Sequence, residues 1–374
     1  MSRPRIVYIL SSLAANDLGD EIITILGRLS RSAFEPRVIA LGGREELMGR
    51  IVEMKVRCYP LGLAGPIGAY RAVGKTRALL RKLDPDVVHG YGSWGGAVAQ
   101  LAAAPGVPVV RAVTRPPNHE RDLRGRVLQY LERRARNRAG THFIVPNEGS
   151  RGLAVRAYGA AEGHVSVLPR SVDVGDVRDR VARTGREEAR TLMGIGPGEK
   201  AFVLVSAFES GARMDQILTG FSIATKELPE LRMFIVGSGR YEGSTRWKAE
   251  ELKLSDSVVF LGRGTEAGPI WSAADAAIDA SPWASWSRSA LIALAAGIPT
   301  VKRQEGTGGW SEELGESLPM VSGHPERFAA EIIKLARDPS MRDEIRAQGA
   351  AVVEAVDAAL VVDRLGDLYR SLKS

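Results

Sequence analysis

Short, continuous apolar runs alternate along the chain with longer segments of helical periodicity. In the first half the runs Arg5 to Leu10, Arg37 to Leu41, Asp86 to His89, Val107 to Val113, His142 to Val145 and Val165 to Leu168 read as strands. Strands that are apolar at successive positions are covered on both faces, and their alternation with helices predicts a parallel, doubly wound sheet. A polar stretch rich in Arg and Asp, Ser171 to Gly185, interrupts the rhythm. It restarts with Phe202 to Ser206, Met233 to Gly237, Val258 to Gly262, Ala276 to Asp279 and Pro299 to Lys302. Helical stretches from Pro325 to Leu335, Met341 to Val353 and Ala358 to Leu372 close the chain. The expected fold class is therefore α/β, with two Rossmann-like domains at residues 1–175 and 176–357 and a separate last helix at 358–374. Two such domains facing one another leave a cleft at the carboxyl ends of both sheets, where ligands usually bind.

Composition narrows the class without changing that picture. A length of 374 residues suits two domains, and 44% hydrophobic with 25% charged residues is ordinary globular usage. Arg3 and Arg5 ahead of an apolar run imitate a secretory signal. The run Ile6 to Leu10 is short, β-branched and aromatic and leads into an amphipathic helix, so it reads as a buried first strand. No apolar stretch approaches the length of a membrane span. The single cysteine, Cys58, excludes an internal disulfide, no Cys/His spacing suits a metal, and the reducing cytoplasm fits.

Charge adds a second feature. The net charge is +7, but residues 1–170 hold roughly +12 and the remainder about −5. A positive first half suits an anionic membrane surface or an acidic partner. It does not suit specific nucleic-acid recognition, because no helix-turn-helix, zinc-finger or aromatic RNA-binding pattern accompanies it. Arg121 to Arg138 carries seven arginines around Val127, Leu128 and Leu131. That pattern fits either peripheral contact with the inner face of a membrane or an ordinary solvated helix.

Several segments then point to one family. Pro85-Asp86-Val87-Val88-His89 followed by Gly90-Tyr91-Gly92 resembles the "PDVVHxHG" strand and loop of the family 4 glycosyltransferases. Leu128 to Ala139 with the following "THFIVPNEGSR" resembles their basic helix and "VIAVSE" strand, and "HVSVLPRSVDV" their interdomain "ITVIPNGVD". "FIVGSGR", "SVVFLGRG", "WSAADAAIDASPW" and "ALAAGIPTV" follow in the family's order. The closing "LGDLYRSL" is similar to its last helix. The resemblance implies the GT-B fold and a last helix that crosses back onto the first domain.

The same resemblance shows what the chemistry lacks. Retaining transfer from a nucleotide sugar builds negative charge on the leaving phosphate, and the family stabilises it with an Arg/Lys pair after the first strand of the second domain. Those places hold Ala207 and Ala212, with Arg213 one residue late. The family's two carboxylates, E-x(7)-E, fall on Ala284 and Ile292. The intervening loop reads Ser285-Trp286-Ser287-Arg288 where glycine lets the backbone approach a phosphate, so bulky Trp286 is expected to obstruct it. The first domain's histidine falls on Thr114, and the "GGAE" turn on Leu18-Gly19-Asp20-Glu21, where the added Asp20 opposes an anion.

Candidate site residues follow. For catalysis they are His119, in the Pro116 to Glu120 loop near Thr114, and Arg213 and Arg288. For a nucleotide-sugar site they are Gly19, Gly237, Gly239, Arg240, Gly262 and Arg288, with Arg263 and Arg303 on the same wall. His89 reads as a packed strand-end residue or a base, and Trp283 and Trp286 as buried residues or a platform for a partner. Gly308 and Gly309 match family turn glycines. Two functions stay open. One is a noncatalytic binding or scaffolding subunit without cofactor, partnered with an active glycosyltransferase or polysaccharide-assembly protein. The other is an active transferase using a UDP- or GDP-sugar at a rebuilt site for a cell-surface glycan or glycolipid.

Overall fold

In the first sheet the central strands bury successive residues against different helical layers, which is why they read as largely apolar runs. The computed structural model describes residues 3–14, 17–43, 45–63, 65–113, 123–136, 138, 140–206, 208, 213–237, 239–262, 269–281, 286–304 and 320–373. Two units are resolved: Met1–Ser171 with Ala358–Ser374, and Val172–Asp357.

The first unit holds β1 (Arg5–Leu10), β2 (Glu35–Ala40), β3 (Arg57–Pro60), β4 (Val87–Tyr91), β5 (Val109–Ala112), β6 (Thr141–Val145) and β7 (Val165–Val167). Its helices are α1 (Asp17–Arg28), α2 (Met48–Glu53), α3 (Gly65–Leu83), α4 (Gly92–Ala102), α5 (Leu123–Ala135) and α6 (Arg151–Tyr158). The sheet is parallel in the order β3-β2-β1-β4-β5-β6-β7.

The second unit holds β8 (Lys200–Val205), β9 (Leu231–Val236), β10 (Val258–Gly262), β11 (Ala276–Asp279), β12 (Thr300–Gln304) and β13 (Met320–Ser322). Its helices are α7 (Val174–Arg183), α8 (Arg186–Leu192), α9 (Met214–Glu227), α10 (Glu242–Glu251), α11 (Ile270–Ala273), α12 (Arg288–Ala295), α13 (Pro325–Arg337) and α14 (Pro339–Val356). That sheet is also parallel, in the order β10-β9-β8-β11-β12-β13. Two doubly wound, parallel α/β sheets are thus what the apolar runs predict. The last helix, α15 (Ala358–Lys373), belongs to the first unit. Among the described residues no helix is long and apolar enough to cross a membrane.

On β1, Ile6, Tyr8 and Leu10 face one core with α1, α2 and α15, while Val7 and Ile9 face the other with α3, α4 and α5. Gly96 of α4 lies so close to β5 that an added Cβ would meet Arg111 Nε at 2.7 Å. Arg111 is itself buried, and it is held by Glu132 of α5 at 2.6 Å, by Gln100 and by the Tyr158 ring 4.3 Å below it. A guanidinium placed here is tolerated because its charge is matched by Glu132 and its two terminal nitrogens are hydrogen-bonded.

The last helix is fastened by a polar group inside an aromatic cluster. Tyr369 of α15 shares a 2.6 Å hydrogen bond with His89 Nδ1 and donates to Tyr8 Oη at 3.0 Å. The His89 ring lies 4.4 Å from that of Tyr91, centroid to centroid. His89 is fully buried, and burial holds its pKa down to about 3. It is a packing residue, out of a solvent-borne substrate's reach.

The neutral imidazole has a measurable consequence. Stability is complete above the ordinary histidine pKa of about 6.5 and is lost as pH falls toward about 3, because only the unfolded chain takes up the proton. Urea unfolding between pH 7 and 4 should show a slope that is steeper by up to about 1.4 kcal/mol per pH unit than in a His89→Gln variant. Identical slopes in the two proteins would contradict this account of His89.

Candidate functional site

The order of the second sheet reverses between β8 and β11, the place where sheets of this kind usually bind ligands. The chain there is built around a buried carboxylate. Asp279 ends β11 with no solvent exposure and stands in register with Lys302 of β12. It accepts hydrogen bonds from the Ser281 amide at 3.0 Å, the Ser287 amide at 2.9 Å and Lys302 Nζ at 3.0 Å. Lys302 also donates to Ser281 Oγ at 3.2 Å and sits 5.4 Å from the Trp286 ring centroid.

This arrangement closes the start of α12. Ser287 is the N-cap, and its hydroxyl accepts from the Ala290 amide at 3.1 Å. Its own amide goes to Asp279, so a carboxylate of the chain occupies donors that an anionic ligand would otherwise take. Of the readings of Trp286, burial is the one observed, and the residue offers no exposed platform. It is buried in the core, where its face meets the Lys302 ammonium. Ile292, at the place of the family's second carboxylate, is also buried in that core. Arg288 opens α12 and is only 7% exposed.

A second cluster lies at the start of α9. Arg213 is its N-cap, exposed and in a left-handed conformation with φ 46°. The side chain of Arg303, only 2% exposed, donates to the Arg213 carbonyl at 3.4 Å. Burial and the neighbouring Arg213 charge hold the Arg303 pKa down to about 10, with Asp215 acting in the opposite sense. The Arg213 charge thus adds to the cost of the Arg303 charge, and an anion would ease both.

The glycines serve the backbone first. Gly237 has φ +144°, and a Cβ there would lie 1.7 Å from the Ser206 carbonyl oxygen. Its amide donates to the Gly262 carbonyl at 2.9 Å, and Gly239 packs on the Phe208 carbonyl in the same way. Arg240 is exposed in the turn before α10. His119, Thr114, Ala207, Ala212, Arg263, Trp283, Ala284, Gly308 and Gly309 lie outside the described residues.

In the first unit, Gly19 packs against the Ala14 carbonyl. The acid that follows it does not stand as an open negative charge, since Asp20 pairs with Arg50 at 3.3 Å. Glu21 and Arg170 form a buried pair at 3.0 Å, beside a cavity of about 20 Å3 that Tyr91 and Val361 also line. The space admits about one water and no sugar. Among the described residues no group of three or more His, Cys, Asp or Glu is arranged to hold a metal ion.

Sequence reasoning missed Asp279, Lys302 and the Glu21–Arg170 pair. Asp279 did carry a signal, since it is a lone charge closing the apolar strand β11.

Two doubly wound parallel units define the class of fold, and comparison with known proteins gives the family. The family described as "Glycosyltransferase Family 4" matches residues 22–176, and "Glycosyl transferases group 1" matches residues 185–352. The chain belongs to the family 4 glycosyltransferases and has their GT-B fold.

It is 27% identical over 138 residues, 36% of its length, to alpha-monoglucosyldiacylglycerol synthase of Streptococcus pneumoniae, of which the match spans only 31%. It is 24% identical over 313 residues to D-inositol 3-phosphate glycosyltransferase of Nocardiopsis dassonvillei, covering 76% of this chain and 70% of that protein. The Anabaena Alr3699/HepE structure in complex with UDP superposes with a TM-score of 0.74 at 15% identity, over 99% of this chain and 100% of that one.

Lys302→Met leaves Asp279 buried and charged. It should lower unfolding stability in urea by about 3 kcal/mol, with much of the loss regained in Asp279→Asn/Lys302→Met. Equal losses in the single and double variants would mean that the pair is not what closes this edge.

Proposed function

We propose that this chain is a glycosyltransferase-family protein of glycan or glycolipid assembly that no longer performs nucleotide-sugar transfer and acts as a noncatalytic binding or scaffolding subunit. The observation that carries the reading is the internal carboxylate: Asp279 takes the Ser287 amide at the start of α12 and is neutralised by Lys302. The buried Ile292 supports it, because an apolar side chain accepts no hydrogen bond from a ribose. The names of the relatives, a glucosyldiacylglycerol synthase and an inositol phosphate glycosyltransferase, support the wider setting. The partner is then an active glycosyltransferase or a polysaccharide-assembly protein, and no cofactor is needed.

A second reading is favoured by the pair Arg213 and Arg303. A retaining transferase with a rebuilt site would place the diphosphate of a UDP- or GDP-sugar beside these cations, offsetting the burial and the Arg213 charge that together lower Arg303.

Incubation of the purified chain with UDP-glucose, UDP-N-acetylglucosamine and GDP-mannose, with diacylglycerol present, separates the two. The first reading predicts UDP or GDP release at the rate of buffer alone. Protein-dependent release that falls about tenfold or more in Arg213→Ala would put the second reading in its place.

A further inference from the structure

The outer helices of the first unit leave a face that is both apolar and cationic. α3 and α5 pack beside one another and on α4, sharing one core. Each connects parallel strands and runs against them, so both helices start at the carboxyl edge of the sheet.

On the first two turns of α3, Ile67 is 69% and Tyr70 65% exposed, and Arg71 and Lys75 continue the same stripe. On α5, Leu123 is 65% and Tyr130 50% exposed, with exposed Arg126 and Arg133 on the stripe between and beyond them. Four large apolar side chains on two adjacent helices form more than a scatter of single exposed residues.

Among the described residues of these two helices the exposed charge has one sign. α3 contains no acidic residue, and the only one in α5, Glu132, is buried against Arg111. A protein interface of mixed polarity would be met by both signs. Helices that expose aliphatic and tyrosine side chains beside Lys and Arg match the interface of an anionic lipid layer: the rings sit at headgroup depth and the cations reach the phosphates.

We propose that this α3/α5 face docks the chain on an anionic membrane surface, with Ile67, Tyr70, Leu123 and Tyr130 entering the interface. The docking is independent of whether the second unit transfers sugar. It would hold the carboxyl edge of the first sheet close to lipid-borne material.

The test is co-sedimentation of the full chain with vesicles of phosphatidylcholine alone or mixed with phosphatidylglycerol. Binding is expected only with the anionic vesicles, and it should weaken as salt is raised. Replacing all four apolar residues by Ser should reduce binding about tenfold or more. Their exposure predicts an unchanged fold, checked by circular dichroism, and Arg71→Glu/Arg133→Glu should weaken binding independently.

Wild-type protein that stays in the supernatant with anionic vesicles at low salt would overturn the proposal. So would a four-Ser variant that binds as tightly as wild type, since the attraction would then be charge alone and elsewhere. A concentration-dependent dimer abolished by the four-Ser variant would overturn it too, by giving the face to a second copy. None of these outcomes bears on nucleotide release, so the two readings fail separately.

Discussion

A carboxylate with no exposure to water must be met by donors and by a positive charge, or the edge of the sheet around it cannot close. Asp279 meets that requirement with two backbone amides and Lys302, one strand away in register. The consequences spread along the second unit. The turn after β11 is drawn in through Ser281, the start of α12 is fixed through Ser287, and Trp286 is held inside over the ammonium. The Ser287 amide at the start of α12 is thereby committed to a carboxylate of the chain itself.

The first unit closes its own edge by related means, with Glu21 paired to Arg170 and His89 bonded to Tyr369. The His89 contact also fastens the last helix to the sheet. Polar groups are therefore present at both carboxyl edges, but those of the first unit are mostly engaged with one another. The clear contrast is Arg213 with Arg303, where like charges are brought together and an anion would lower the energy. Two opposed tendencies thus coexist in the second unit: amides closed by an internal anion and cations that favour an external one.

Most of the fold was legible as a pattern. Strands buried on both faces write continuous apolar runs, and those runs fell on β1, β10 and β11 with their observed limits. β3 was missed because it is an edge strand whose four residues, Arg57 to Pro60, are only partly buried and include a proline. β13 is three residues long and writes too little pattern to read. The family resemblance located Ile292 and Arg213 but not the chemistry around them. Pairing is nonlocal: Asp279 and Lys302 are 23 residues apart, and Glu21 and Arg170 are 149 apart. Only the strand register and the fold bring them together. Burial of Trp286 was one of the two readings open from sequence, but its contact with Lys302 was not legible because the pair is nonlocal.

The most direct measurement on the central claim is amide hydrogen exchange at Ser287 and Ala290, with and without saturating UDP-glucose. If Asp279 and the Ser287 hydroxyl already hold these amides, both exchange slowly in the free protein and the nucleotide sugar leaves their rates unchanged. Fast exchange in the free protein, slowed on adding UDP-glucose, would mean that the helix start is an open phosphate site and would contradict the account.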